Sequence, residues 1–183
     1  MILRNARSVS APHGVRPAPF DAEFRRSVRD FLDRDICWRR GIGPSRLGRL
    51  AVGNPGFVRE CIVLGADVQI DTADAVRILI GETPFRPRFC RELELFMELT
   101  GANPWVIGWR SVQNKSFVKR LEGGSTPYLR TVDRVRTWMY GQLRGWQRRA
   151  VFGTEPGMLP FGPIPGACQA PFLGRDARTF EWQ

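Results

Sequence analysis

The sequence predicts an all-α protein of two tandem units of about four short helices each, followed by a Pro/Gly-rich tail without regular structure. The first observation is a repeat. A shift of sixty positions aligns Pro44–Val58 with Pro104–Val118, and a shift of fifty-nine aligns Gly65–Arg77 with Gly124–Arg136. The second observation is an apolar spacing of three to four residues in each copy, which is typical of amphipathic helices. The third is that Pro, Asn and Gly lie between the apolar runs, where they begin and end helices.

Each copy opens on a short helix that begins with proline, predicted over Pro44–Val52 and Pro104–Val112. Proline fits the first turn of a helix, where its missing N–H costs nothing. Asn54 and Asn114 follow these helices and are predicted to cap a second helix, because an Asn side chain accepts a free backbone N–H of the next turn. The apolar face of the second helix is Phe57, Val58, Cys61 and Ile62 in the first copy and Phe117, Val118 and Leu121 in the second.

Glycine is predicted to end this second helix, at Gly65 in the first copy and at Gly123-Gly124 in the second. Thr72 and Thr131 are then predicted to cap a third helix. A further helix precedes each copy, and before the first copy it is expected from Asp21 to Arg39. The apolar residues of these two preceding helices are Val28, Phe31, Leu32 and Ile36, and Phe89, Leu93, Phe96 and Met97. The short link Gly81–Arg86 between the copies favours two packed halves.

Two short helices joined by a tight turn and backed by flanking helices form a helix-turn-helix. The stretch Asn114-Lys-Ser-Phe-Val-Lys-Arg-Leu-Glu-Gly-Gly, with the following Tyr-Leu-Arg-Thr-Val-Asp-Arg-Val, resembles the Cro/CI-type (XRE) helix-turn-helix family of phage and bacterial regulators. The resemblance covers roughly residues 87–142 and, more distantly, residues 25–82. It implies a transcriptional regulator that reads double-stranded DNA by placing the second helix of the motif in the major groove.

The resemblance also implies which residues contact DNA. Lys115, Ser116 and Lys119 would face bases, while Phe117, Val118 and Leu121 would face the core. Asn114, Arg120, Arg130 and Arg134 would hold phosphates or cap helices. The corresponding candidates of the first copy are Arg46, Arg49, Asn54, Gly56 and Arg59.

The distribution of charge favours the second copy as the DNA reader. The net charge of +10 and the pI near 10.8 favour a polyanionic partner. From Lys115 to Ala150 there are nine basic and two acidic residues, whereas from Pro55 to Cys90 there are four basic and five acidic residues. Moreover, the two lysines of the chain, Lys115 and Lys119, both lie in the second copy's predicted recognition helix.

Other classes of function find less support in the sequence. No apolar run approaches the ~18 residues of a membrane-spanning helix and the first residues lack the apolar core of a signal peptide, so a cytoplasmic protein is expected. Cys37, Cys61, Cys90 and Cys168 lie far apart without metal-ligand spacing, so neither a metal nor a cofactor is expected. The single histidine, His13, lies in a Pro/Arg-rich leader, and we therefore expect no catalytic pair and no enzyme.

The predicted organisation is a basic flexible arm over residues 1–19, the two units over 20–83 and 84–150, and the tail over 151–183. The tail interleaves Gly and Pro with aromatic residues, and either packs on the chain or binds a protein partner. An alternative function also stays open, in which the units oligomerise or bind a protein such as RNA polymerase. Two assemblies on DNA are possible: a monomer on an asymmetric site, or a homodimer whose second copies read DNA.

Overall fold

The computed structural model describes residues 16–34 and 41–153, and over these ranges it is helical, which confirms the all-α fold class. The segment Arg59–Val63 is a single π-helical turn in which the Leu64 N–H donates to the Arg59 carbonyl at 3.1 Å. No helix in these ranges is long and apolar enough to cross a bilayer. The helices are α1 (Phe20–Asp33), α2 (Pro44–Val52), α3 (Arg59–Val63), α4 (Ile70–Leu79), α5 (Phe85–Thr100), α6 (Pro104–Val112), α7 (Phe117–Glu122), α8 (Leu129–Gln142) and α9 (Gly145–Phe152).

Helices α2 and α6 have the predicted bounds, each with proline in its first turn. Asn54 and Asn114 were predicted as N-caps of the second helices, but the N-cap residues are Val58 and Ser116, and the asparagines accept N–H groups of the turn before each helix. The side-chain Oδ1 of Asn54 accepts the Gly56 N–H at 2.8 Å, and that of Asn114 accepts the Ser116 N–H at 3.1 Å. Helical backbone begins three residues after each asparagine, at Phe57 just before α3 and at Phe117, the first residue of α7.

The turn between the two helices of each copy depends on a close backbone approach. A Cβ atom added at Gly48 would clash with the backbone oxygen of Asn54, and one added at Gly108 would clash with the backbone oxygen of Asn114. The same Cβ at Gly108 would lie 3.0 Å from the Cβ of Phe117. Glycine at these two positions therefore sets how closely the second helix of each motif packs on the first.

The prediction that Thr72 and Thr131 cap the third helices is wrong. Helix α4 begins at Ile70 and α8 at Leu129, so both threonines lie inside the first turn. The Ile70 N–H donates to the Pro127 carbonyl at 2.9 Å and the Leu129 N–H donates to the Val68 carbonyl at 2.8 Å. An antiparallel bridge between the two copies thus satisfies these first N–H groups, and no threonine side chain is needed.

Helices α1 and α5, which precede the two copies, are each capped by an aspartate of the other copy. The carboxylate of Asp133 in α8 accepts the backbone N–H groups of Phe20 at 2.7 Å and Asp21 at 3.0 Å, at the start of α1. Similarly, Asp74 in α4 accepts the N–H groups of Phe85 and Arg86 at the start of α5. Burial raises the pKa of both aspartates, and the two N–H bonds that each accepts oppose that shift.

We expect Asp133→Ala to lower the free energy of unfolding by about 1–2 kcal/mol, since two N–H groups of α1 lose their acceptor. Chemical denaturation followed by circular dichroism measures the change. Asp30→Ala, which removes an exposed carboxylate of α1, is the matched control and should change stability by less than about 0.5 kcal/mol. Equal effects of the two variants would show that the cap contributes nothing.

The core contains the first helices of both copies. The rings of Phe20 and Phe85 are stacked with centroids 4.4 Å apart. Phe24 meets Phe57 edge-on at 6.4 Å, and Phe89 meets Phe117 edge-on at the same distance. The same aromatic contact thus holds α1 to the residues just before α3 in the first copy and α5 to α7 in the second.

Arg136, one of the nine basic residues between Lys115 and Ala150, is a core residue with 2 % of its surface exposed. Its guanidinium donates two hydrogen bonds to the buried Glu92, at 2.6 and 3.0 Å, and one to the Ala18 carbonyl at 2.7 Å. Its Cζ also lies 3.7 Å from the centroid of the Phe20 ring. The predicted arm over residues 1–19 therefore extends too far, because Ala18 is bonded to the core. Residues 1–15 lie outside the described ranges.

Two predicted boundaries near the ends of the units also differ. Helix α1 ends at Asp33, and the predicted continuation from 35 to 39 lies outside the described ranges. The tail was predicted to begin at residue 151, but the unpredicted α9 continues to Phe152 because Val151 is buried and Phe152 packs on Tyr140 at 5.9 Å. Residues 154–183 are not described, so the predicted roles of the tail have no structural outcome here.

Candidate nucleic-acid interface

The first turn of α7 presents a polar face to solvent and an apolar face to α6 and the core. Phe117, Val118 and Leu121 are buried, as predicted for the core side of this helix. Lys115, Ser116 and Lys119, the predicted base-facing residues, are all exposed. Lys115 and Ser116 lie in the turn before α7, and Ser116 lines the same surface depression as Lys119 on the helix.

Two tryptophans of α6 adjoin this face and were not among the predicted site residues. The Nζ atom of Lys115 lies 5.3 Å from the ring centroid of Trp105 and 5.2 Å from that of Trp109. The indole side chains are 48 % and 43 % exposed. Their spacing of four residues in a predicted helix was the available signal, but nothing in the pattern told whether that face was buried.

The remaining candidates of the second copy fall into two groups. Arg120 and Lys119 line a shallow depression at the end of α7, together with Ser116 and the 123–125 turn. Arg130 and Arg134 line a separate groove between α1 and α8. The Arg130 guanidinium also donates to the Gly65 carbonyl at 2.7 Å, so it holds the first copy. Asn114 caps the turn before α7.

The first copy presents a different surface at the equivalent positions. Arg46 and Arg49 are exposed on α2, and Arg59 is exposed at the start of α3, beside the partly buried Gly56. Asn54 is engaged by the Gly56 N–H and, through its own side-chain amide, by Glu60 at 3.4 Å.

The last turn of α3 exposes apolar side chains. Val63 is 73 % exposed and the adjoining Leu64 is 67 % exposed. On α2 Leu50 is exposed as well. Ser45, Arg49 and Pro55 stand in the first copy where Trp105, Trp109 and Lys115 stand in the second. Accordingly, the aromatic and basic face is a feature of the second copy.

Cys61 on α3 is buried. Burial raises the pKa of the Cys61 thiol to about 11, so this group stays protonated and is a poor nucleophile. No cluster of three or more His, Cys, Asp or Glu side chains that could hold a metal ion is found in the part of the chain that the structure describes.

No protein-family model, curated protein or solved structure matches this chain significantly. The resemblance to the Cro/CI-type family therefore stays a prediction.

Proposed function

We propose that the protein binds double-stranded DNA sequence-specifically through the first turn of α7 and acts as a transcriptional regulator. The observation that supports this most is the exposure of Lys115 and Ser116 in the turn before α7 and of Lys119 on α7, whose other side is anchored in the core. In helix-turn-helix proteins the exposed N-terminal residues of the second helix reach base edges, while neighbouring groups hold phosphates. Arg120 lines the same depression as Lys119, and we assign it a phosphate contact.

The charge of the chain supports the same function. Net charge is +10, and Arg136, which the count of basic residues included, contributes its charge inside the core. Since Lys115, Lys119 and Arg120 are all exposed, the second copy keeps a basic face after that correction. A basic face on a short anchored helix is well suited to a polyanionic groove.

We expect Lys115→Ala and Lys119→Ala each to weaken binding to a selected DNA site by about 1–3 kcal/mol, because a base contact is lost. Arg59→Ala, at the position of the first copy that matches Lys119, should cost less. The site is obtained by selecting bound duplexes from a random pool, and affinities are measured by titration. Glu122→Ala, an exposed change on the same helix, controls for helix stability. If Arg59→Ala is the most damaging variant, then the first copy reads DNA.

Salt dependence tests the function more generally. Each phosphate contact adds about −0.9 to the slope of log affinity against log salt concentration. DNA affinity of the full chain should therefore fall steeply as salt rises. If the full chain does not bind duplex DNA even at low salt, the proposal is contradicted.

A second function, binding of a protein partner or of another copy of the chain, is supported by the exposed Leu50, Val63 and Leu64 of the first copy. Exposed large apolar side chains of this kind are found at protein interfaces. Measurement of molecular mass with and without DNA distinguishes the cases. One chain on a non-palindromic site supports reading by a monomer, and two chains on an inverted repeat support a dimer.

A further inference from the structure

Trp105 and Trp109 are two large aromatic side chains that the fold of the second copy does not use in its core. Helix α6 packs inward through Ile107 and Gly108, which are buried, while both indoles lie on its exposed side. They are four residues apart and therefore adjacent on the helix surface. Tryptophan is costly to expose to water, so a pair of exposed indoles on one face calls for an occupant.

The charge around the two indoles identifies the chemistry of that occupant. The ammonium of Lys115 lies within 5.3 Å of both ring centroids, a distance at which a cation is attracted by an aromatic face. Arg110 is exposed on the same helix and Lys119 is exposed on the neighbouring one. Among the described residues, neither Lys115 nor Lys119 forms an ion pair with a carboxylate. The surface thus combines apolar ring faces with cations that lack an anionic partner there.

We propose that Trp105 and Trp109 bind the sugar–phosphate backbone of duplex DNA beside the bases read by α7. This inference rests on the proposed function and extends it to α6. The first helix of a helix-turn-helix crosses the DNA backbone, which brings the exposed side of α6 against deoxyribose and phosphate. An indole face packs on the apolar side of a deoxyribose, and the indole N–H donates to a phosphate oxygen. Lys115 leaves its position over the rings to reach the adjoining base edge, as proposed above.

The proposal also accounts for the difference between the two copies. The first copy has Ser45 and Arg49 at the matching positions of α2, and Pro55 in place of Lys115. It therefore lacks both ring faces and the ammonium held between them. Backbone binding of this kind belongs to the second copy alone.

The test uses the full chain and sheared genomic duplex DNA as the probe, with affinity measured at several salt concentrations. Trp105→Ala and Trp109→Ala should each lower affinity about fivefold or more. They should leave the salt slope unchanged, because an indole releases no counterion. Arg120→Ala, which removes the proposed phosphate contact, should instead reduce the slope by about 0.9. Trp146→Ala is the matched control, since Trp146 on α9 is 62 % exposed, and it should leave affinity within twofold.

Three results would overturn the inference. If Trp105→Ala and Trp109→Ala bind like Trp146→Ala, the indoles do not contact DNA, while the proposed function stands. If they reduce the salt slope as Arg120→Ala does, the indoles act by positioning a cation and not by contact with the backbone. If the unaltered chain shows no salt-dependent DNA binding, the proposed function fails and the inference fails with it. Urea denaturation of each variant confirms that the affinities compare equally folded proteins.

Discussion

Arg136→Ala should lower the free energy of unfolding by about 3–5 kcal/mol, the usual effect of removing one partner of a buried ion pair. The variant leaves Glu92 buried without the guanidinium that donates two hydrogen bonds to it. It also removes the hydrogen bond to Ala18 and the cation above the Phe20 ring. Urea denaturation followed by circular dichroism measures the loss.

Two further variants show whether the loss comes from the buried charge of Glu92, which among the described residues keeps only the Arg88 ion pair at 3.4 Å. Arg134→Ala changes an exposed arginine two positions away and should alter stability by less than about 0.5 kcal/mol. The double variant Glu92→Leu with Arg136→Met should recover most of the loss, because well-packed apolar groups can replace a buried ion pair at little cost. A double variant less stable than Arg136→Ala would mean that packing around these side chains, and not their charge, decides stability.

Gly108→Ala should impair DNA binding more than any single surface change and lower the free energy of unfolding by about 1–3 kcal/mol. The added methyl group would overlap the Asn114 carbonyl and press on Phe117, so α7 must move away from α6. That movement displaces Lys115, Ser116 and Lys119 together. Affinity for a selected DNA site, measured at a temperature where the variant is folded, reports the displacement.

Two glycines provide matched controls for this prediction. At Gly141, on α8, an added Cβ meets no atom within 4 Å, so Gly141→Ala should stabilise the helix by up to about 1 kcal/mol and leave binding unchanged. Gly48→Ala produces the same overlap in the first copy. It should destabilise the protein like Gly108→Ala but reduce DNA affinity far less. Equal loss of affinity in both variants would show that both copies read DNA.

Local patterns in the sequence predicted the parts of the fold that depend on neighbouring residues. The sequence predicted the bounds of α2 and α6, the N–H groups accepted by Asn54 and Asn114, and the buried face of α7. Each of these depends on side chains within one or two turns. The shared backbone bridge, by contrast, joins residues about sixty positions apart. That is why the threonines were wrongly given the role of caps.

Long-range contacts also explain the misassigned charges. Arg136 and Asp133 look like surface residues of α8 in sequence, yet their partners are Glu92 and the start of α1. The sequence contained a signal of their burial. Asp74 matches Asp133 and Arg77 matches Arg136 in the two copies, and all four lie among apolar residues. The exposure of Trp105 and Trp109 had no such signal, because an aromatic residue in a short helix is compatible with either side.

The reciprocal aspartate caps affect how the chain folds during its synthesis. The first N–H groups of α1 have no side-chain acceptor until Asp133 is synthesised, 113 positions after Phe20. At a translation rate of 5–20 residues per second, roughly 5–20 seconds pass between the synthesis of the two residues. The first copy therefore leaves the ribosome with its opening helix uncapped, and it completes its native contacts only after most of the second copy has followed. A long pause in translation between the two copies would prolong exposure of Phe20 and Phe24, and so favour aggregation of the nascent chain.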